Sequence, residues 1–153
     1  MERGRTSVSI PTKPLIVTGA FGRTLSASGV AAALARGLSS DGRPEPEVCL
    51  LPEALESDPA MRALLQELVP EARLRSARAV ILGEEELEES TLARTATFEI
   101  ATRARQAGVP AYAVTVENRL SSFDARMLDL QLIVAARTPR ALSAAGRRLA
   151  SVL

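Results

Sequence analysis

Apolar and polar positions fall into two kinds of block along this chain. Short apolar runs occur at Leu15-Ile16-Val17-Thr18, Glu47 to Leu51, Ala79 to Leu82, Val109 to Val116 and within Leu128 to Ala136. They are continuous rather than alternating, as strands are when helices cover both faces of a parallel sheet. Between them the apolar positions fall at helical spacing. Val30, Leu34 and Leu38 mark one face, widened by Ala31 and Ala35. Ala93, Ala96, Ile100 and Ala104 mark a second, in a long helix expected from about Ser90. Leu142, Ala145, Leu149 and Val152 mark a third.

The punctuation agrees. Thr24 or Ser26 can cap the first helix. Ser57-Asp58-Pro59 opens the next, which Pro70 stops. Gly108 closes the long helix, and Thr138-Pro139 starts the last one. Residues 1–13 read as a flexible tail, and residues 14–153 as a single α/β domain. The fold expected is a small parallel, Rossmann-like sheet of about five strands with helices on both faces. In such a sheet ligands bind at the carboxyl ends of the strands, which directs attention to residues 18–25, 83–91 and 115–124.

The chain of 153 residues is long enough for one self-sufficient core. Its 19 basic and 18 acidic residues give a net charge of +1, and aromatics are 3% of the chain. That balance offers no attraction for nucleic acid or an anionic membrane, and no base-stacking platform. There is no histidine, which excludes Ser-His and Cys-His nucleophile pairs and most zinc sites. Cys49, the single cysteine, lies in an apolar run and reads as a small buried hydrophobe. Met1 to Thr12 lacks the apolar core of a secretory signal, so a cytoplasmic location is expected.

Two of the ligand-edge loops resemble a known family. The stretch VTGAFGRTLSASGVAAALARGL, Val17 to Leu38, is similar to the N-terminal segment of glycerate kinases. There a strand ends in Asp-Ser-Phe-Lys-Gly before a helix that closes near Ala-Arg-Gly-Leu. Phe21, Leu25, Ser26, Ala27, Val30, Ala35, Arg36, Gly37 and Leu38 match. The following PEVCLLPE resembles the family's second strand. Ser76 to Thr91 resembles a strand ending in Gly-Glu-Gly-Arg-Leu-Asp and then Gln-Thr, through Gly83, Glu84, Leu87 and Thr91. Ala107-Gly108-Val109-Pro110 fits the next helix-to-strand junction. The family's chains are longer and two-lobed, and this chain resembles their α/β lobe alone. The resemblance implies ATP- and Mg²⁺-dependent phosphoryl transfer to D-glycerate.

The charged motif residues differ. Gly19 stands where the family has Asp, Ala20 where it has Ser, Gly22 where it has Lys and Arg23 where it has Gly. Glu85, Glu86, Glu88 and Ser90 replace its Gly, Arg, Asp and Gln, and its Gly-Lys-x-Pro becomes Arg94-Thr95-Ala96-Thr97. Phosphoryl transfer depends on placed cations and metal-holding groups. The expectation is therefore a degenerate glycerate-kinase-like domain without kinase activity alone, kept as a small-ligand-binding or interaction module. The alternatives are an active kinase, with ATP and Mg²⁺, working as an oligomer or with a partner lobe, and a structural self-association domain. The expected ligand is a small organic acid or a nucleotide.

The candidate anion or phosphate site is Gly19, Gly22, Arg23, Thr24 and Ser26, at the start of the first helix. Its plain alternative is a surface arginine beside turn-forming glycines. Further ligand-edge candidates are Gly83, Glu84, Thr91, Asn118 and Arg119, with Ser121, Asp124 and Asp129 nearby. Glu84, Glu85 and Glu88 are weak metal candidates, since hard cations take several carboxylate oxygens. Their alternative is a solvated acidic loop beside a helix N-terminus.

Overall fold

A computed structural model describes residues 11–52, 58–92 and 95–153. Among them the first strand, β1 (Leu15–Thr18), leads into α1 (Ala27–Leu38), and a short 3₁₀ turn at Ser40–Gly42 precedes β2 (Glu47–Leu50). Next come α2 (Asp58–Leu68), α3 (Glu71–Arg75), β3 (Val80–Leu87), α4 (Glu89–Leu92) and α5 (Ala96–Ala107). The chain ends through β4 (Ala111–Asn118), α6 (Ser122–Met127), β5 (Leu130–Ala135) and α7 (Pro139–Ala150). The five strands form one parallel sheet in the order β2-β1-β3-β4-β5. No described helix is long and apolar enough to cross a membrane.

Residue alternation along the strands divides the core in two. Leu15, Val17, Val80, Leu82, Ala111 and Ala113 face the layer that holds Leu65, Leu74, Ile100 and Ala104 of α2, α3 and α5. Ile16, Ile81, Tyr112 and Val114 face the layer that holds Val30, Leu34, Leu142 and Leu149 of α1 and α7. Both faces are covered, so the central strands have no polar side, and this is why their apolar runs are continuous. Fully burying a leucine such as Leu34 contributes roughly 1.5–3 kcal/mol. Cys49 is buried in the first of these layers.

Small residues bring α1 and α7 into backbone contact. A Cβ on Gly37 would strike the Ser143 carbonyl, and one on Gly146 would strike the Leu34 carbonyl. Ser143 Oγ donates to the Ala33 carbonyl at 3.0 Å across the same crossing. On the other face arginines close helix ends. Arg103 donates to the carbonyls of Leu65 and Val69, and Arg73 to those of Leu68 and Val48. The contact at Val48 also occupies an outward carbonyl of the edge strand β2.

Several expectations need correction. Residues 84–87, acidic apart from Leu87 and expected in a loop, extend β3. They pair with β4 through Glu84↔Thr115, Glu86↔Glu117 and Leu87↔Asn118, and Leu87 is fully buried. β4 accordingly runs to Asn118 rather than Val116. The long helix expected from Ser90 is instead the separate α4 and α5, because Thr95 adopts an extended backbone and caps α5. α3 and α6 are additional short helices. Val152, expected on the apolar stripe of α7, lies beyond that helix and is exposed. Ala93, Arg94 and Ser57 lie outside the described residues.

Candidate functional site

The chain leaves β1 for β2 on one side and later returns to β3 on the other. The crevice between β1 and β3, at the carboxyl ends of the strands, is therefore the switch point of this sheet. Thr18 and Gly83 meet there in register. Thr18 Oγ1 donates to the Gly19 carbonyl at 2.8 Å and reaches the Gly83 carbonyl at 3.5 Å. A Cβ at Gly83 would collide with the threonine hydroxyl, so this glycine serves close strand packing.

The turn after β1 folds on itself. Phe21 N–H donates to the Leu25 carbonyl at 2.9 Å, with the return bond at 3.4 Å, and Phe21 is buried beneath. Gly22 turns the chain with φ +60°, and Thr24 Oγ1 donates to the Phe21 carbonyl. Ser26 rather than Thr24 caps α1, accepting from Gly29 N–H at 3.1 Å. A cavity of about 470 Å³ opens beside this turn, lined by Gly22, Arg23, Leu25, Ser26 and Leu51 among others. Of the five anion-site candidates, Gly22, Arg23 and Ser26 line it, while Gly19 and Thr24 do not. Arg23 is exposed and forms no ion pair with any described residue.

The end of β3 carries the acidic groups, and pleating separates them. Glu84 turns toward α5, where its Oε1 accepts from Thr97 Oγ1 at 2.8 Å. Thr97 also offers its backbone N–H. Burial raises the Glu84 pKa above the usual carboxylate value, the two Thr97 bonds pull it back, and the Glu85 charge adds to the rise. The N-terminus of α5 thus holds one of the protein's own carboxylates where an external anion would otherwise meet free N–H groups. Glu85 turns the other way, with its carboxylate oxygen against Gly22, 2.5 Å from where a Cβ would stand.

The remaining candidates are held locally. Arg119 bonds Glu117 Oε2 at 2.8 Å and approaches Glu86 at 3.7 Å, and both acids raise its pKa. The Glu86 pKa is also raised, first by a hydrogen bond with Glu88. Thr115, fully buried, has its hydroxyl 3.0 Å from the carbonyls of both Glu85 and Glu117, sharing its one proton between them, and fastens the strand ends. Asn118 accepts from Leu120 N–H, Thr91 reaches the Glu88 carbonyl, and Asp124 bonds Ser121. Asp129 accepts from Gln131.

Glu84 and Glu85 point to opposite faces, and no group of three or more His, Cys, Asp or Glu among the described residues converges as a cation site. The β1–α1 turn spends its Phe21 and Leu25 amides internally, Ser26 caps α1, and Glu84 fills the α5 terminus. An unpaired phosphate charge about 5 Å from Glu85 would meet roughly 3 kcal/mol of repulsion at an effective dielectric of 20.

Sequence reasoning singled out Arg23 and the turn but not Thr97, Thr18 or the Gly22–Glu85 approach. Such contacts join residues far apart in the chain, and no local spacing signals them. Two further cavities lie away from the crevice. One, about 290 Å³, is lined by Pro14, Arg43, Arg78 and Ala150. The other, about 420 Å³, is lined by Phe98, Phe123 and Met127 between α5 and α6. Among known proteins, no family model and no curated protein matches the chain.

Proposed function

We propose that this chain is a binding domain for a small organic acid, held beside the β1–α1 turn, and that it performs no phosphoryl transfer by itself. The observation that carries this reading is Arg23, an arginine without an ionic partner among the described residues, in the wall of a cavity of about 470 Å³. Its size lies within the range typical of small-molecule sites. Leu25 and Leu51 supply an apolar wall, and Arg23 supplies a planar fork suited to a carboxylate. The resemblance to glycerate kinases places D-glycerate first among acids to test.

Calorimetric titration of the purified chain with D-glycerate and other short carboxylates tests the proposal. Binding that Arg23→Ala weakens at least about tenfold supports it. Binding indifferent to Arg23 removes its basis. ADP release with Mg-ATP and D-glycerate above background would favour the active kinase instead.

A second reading, an interaction module, has its own support. Phe123 and Met127 are 62% and 57% exposed, side by side on α6 along the cavity under Phe98. Exposed apolar patches of this kind mark interaction surfaces. Sedimentation of the chain beside a Phe123→Ser variant tests it, since a monomer at all concentrations counts against self-association.

A further inference from the structure

The opposite end of the sheet carries a separate cavity of about 290 Å³, where the amino ends of β1, β2 and β3 meet the carboxyl ends of α1 and α7. Two arginines, Arg43 and Arg78, line it. Arg43 comes from the loop before β2, where Asp41 and Gly42 turn the chain at φ +60° and +74°. Arg78 comes from the segment before β3, and its N–H donates to the Lys13 carbonyl at 2.9 Å. Pro14, Leu38, Pro44 and Ala150 give apolar walls, and among the described residues no acidic side chain lines the cavity.

The charge of these arginines is unspent. Neither forms an ion pair with any described residue. Nor do their guanidinium groups close helix ends, as those of Arg103 and Arg73 do on the other face. At α1 the carbonyls of Ala35 and Gly37 accept from the hydroxyls of Ser39 and Ser40, and at α7 the Arg148 carbonyl accepts from that of Ser151. The two helix ends bring about half a negative charge each, which leaves the guanidinium groups in excess. Like charges brought to one cavity repel each other, and an anion in the same cavity replaces that repulsion with attraction.

We infer that this cavity binds a small phosphate monoester, its phosphate on Arg43 and Arg78 and its organic part against Pro14, Pro44 and Leu38. The inference is independent of the reading of the cavity beside Arg23. A phosphate group carries nearly two negative charges at neutral pH and three accepting oxygens, whereas a carboxylate has one charge and two oxygens. Each guanidinium fork takes up to two oxygens, so a pair of forks matches a phosphate better than a carboxylate. Thr12 adds a hydroxyl to the wall. The cavity lies at the small end of the range for ligand sites, which limits the organic part to about one ring or a short chain.

Calorimetric titration of the full chain at fixed ionic strength tests this, with phenyl phosphate, inorganic phosphate, benzoate and succinate as probes. Parallel titrations use Arg43→Gln, Arg78→Gln and Arg36→Gln, the last altering an exposed arginine of α1 that lines neither this cavity nor the one beside Arg23. Melting curves establish that the variants fold. Phenyl phosphate should bind about tenfold or more tightly than any other probe. Arg43→Gln and Arg78→Gln should each weaken it by about tenfold or more, and Arg36→Gln should leave it unchanged. Benzoate or succinate binding as tightly overturns the assignment to a phosphate group. Inorganic phosphate binding as tightly overturns the assignment to an ester. Phenyl phosphate binding that survives both cavity variants and disappears in Arg23→Ala overturns the site and moves the anion to the other cavity. Neither heat nor broadening of the phosphorus resonance of phenyl phosphate at millimolar concentration overturns the inference outright.

Discussion

Thr97 donates its hydroxyl to Glu84 at 2.8 Å, joining the first turn of α5 to the end of β3. A carboxylate this deeply placed would be costly without a donor, and Thr97 supplies a side-chain and a backbone one. Burial nonetheless wins, because the Glu84 pKa remains raised above the ordinary carboxylate value. The folded protein therefore holds the Glu84 proton more tightly than the unfolded chain does. Between those two pKa values stability falls as pH rises.

Glu84→Gln is accordingly expected to raise the melting temperature at neutral pH, since the amide oxygen still accepts from Thr97 without carrying charge. The advantage should shrink as pH is lowered through the folded pKa and vanish below about 4.5. Thermal melts of both proteins from acid to neutral pH check this. Higher melting of the wild type at neutral pH would refute it.

Gly83→Ala is expected to destabilise, because its Cβ would enter the space of the Thr18 hydroxyl and Cβ. Overpacking of this kind costs about 1–3 kcal/mol. Thr18→Ala removes the obstructing hydroxyl, so the double variant should lose less than the two singles added together. A denaturation cycle over the four proteins measures that coupling, and strict additivity would contradict the contact.

Gly37→Ala and Gly146→Ala should each be more damaging than Gly83→Ala. Their new methyl groups meet backbone carbonyls of the facing helix, which cannot swing aside. Gly19→Ala is the control: nothing lies within 4 Å of its Cβ position and no positive φ is recorded there. Urea midpoints should fall clearly for the first two and stay within about 0.5 kcal/mol of wild type for the third.

Arg23→Ala should leave stability nearly unchanged, within about 0.5 kcal/mol, because the side chain is exposed and unpaired among the described residues. Gly22→Ala should be costlier, about 1–3 kcal/mol, because alanine would have to adopt φ near +60° and displace the Glu85 carboxylate. Paired melting curves and ligand titrations distinguish a folding defect from a binding defect in both.

The architecture was legible where local chemistry decides it. Ser26, Thr138 and Gly108 end their helices as their side chains or φ preferences dictate, and the apolar runs fall on strands. The stretch Glu84-Glu85-Glu86-Leu87 was not legible. By composition it suits a solvated loop, and only pairing with Thr115 to Asn118, far along the chain, makes it a strand. The break before α5 was hidden for a related reason, since apolar spacing runs across Thr95 while its extended backbone and cap interrupt the helix. At the candidate site Arg23 could be singled out from the sequence. The Glu85 carboxylate beside Gly22 depends on β3 lying next to β1, a fact of topology.

The glycine crossing of α1 and α7 bears on the order in which the molecule can be completed. The hydrogen bond from Ser143 to Ala33 spans 110 residues, and the two helices share one core layer with Ile16 and Ile81. A chain emerging from the ribosome in sequence therefore presents Val30 and Leu34 to water until residues 139–150 exist to cover them. The first helix waits for the last, and for that interval the nascent chain depends on speed or on a chaperone to stay out of aggregates.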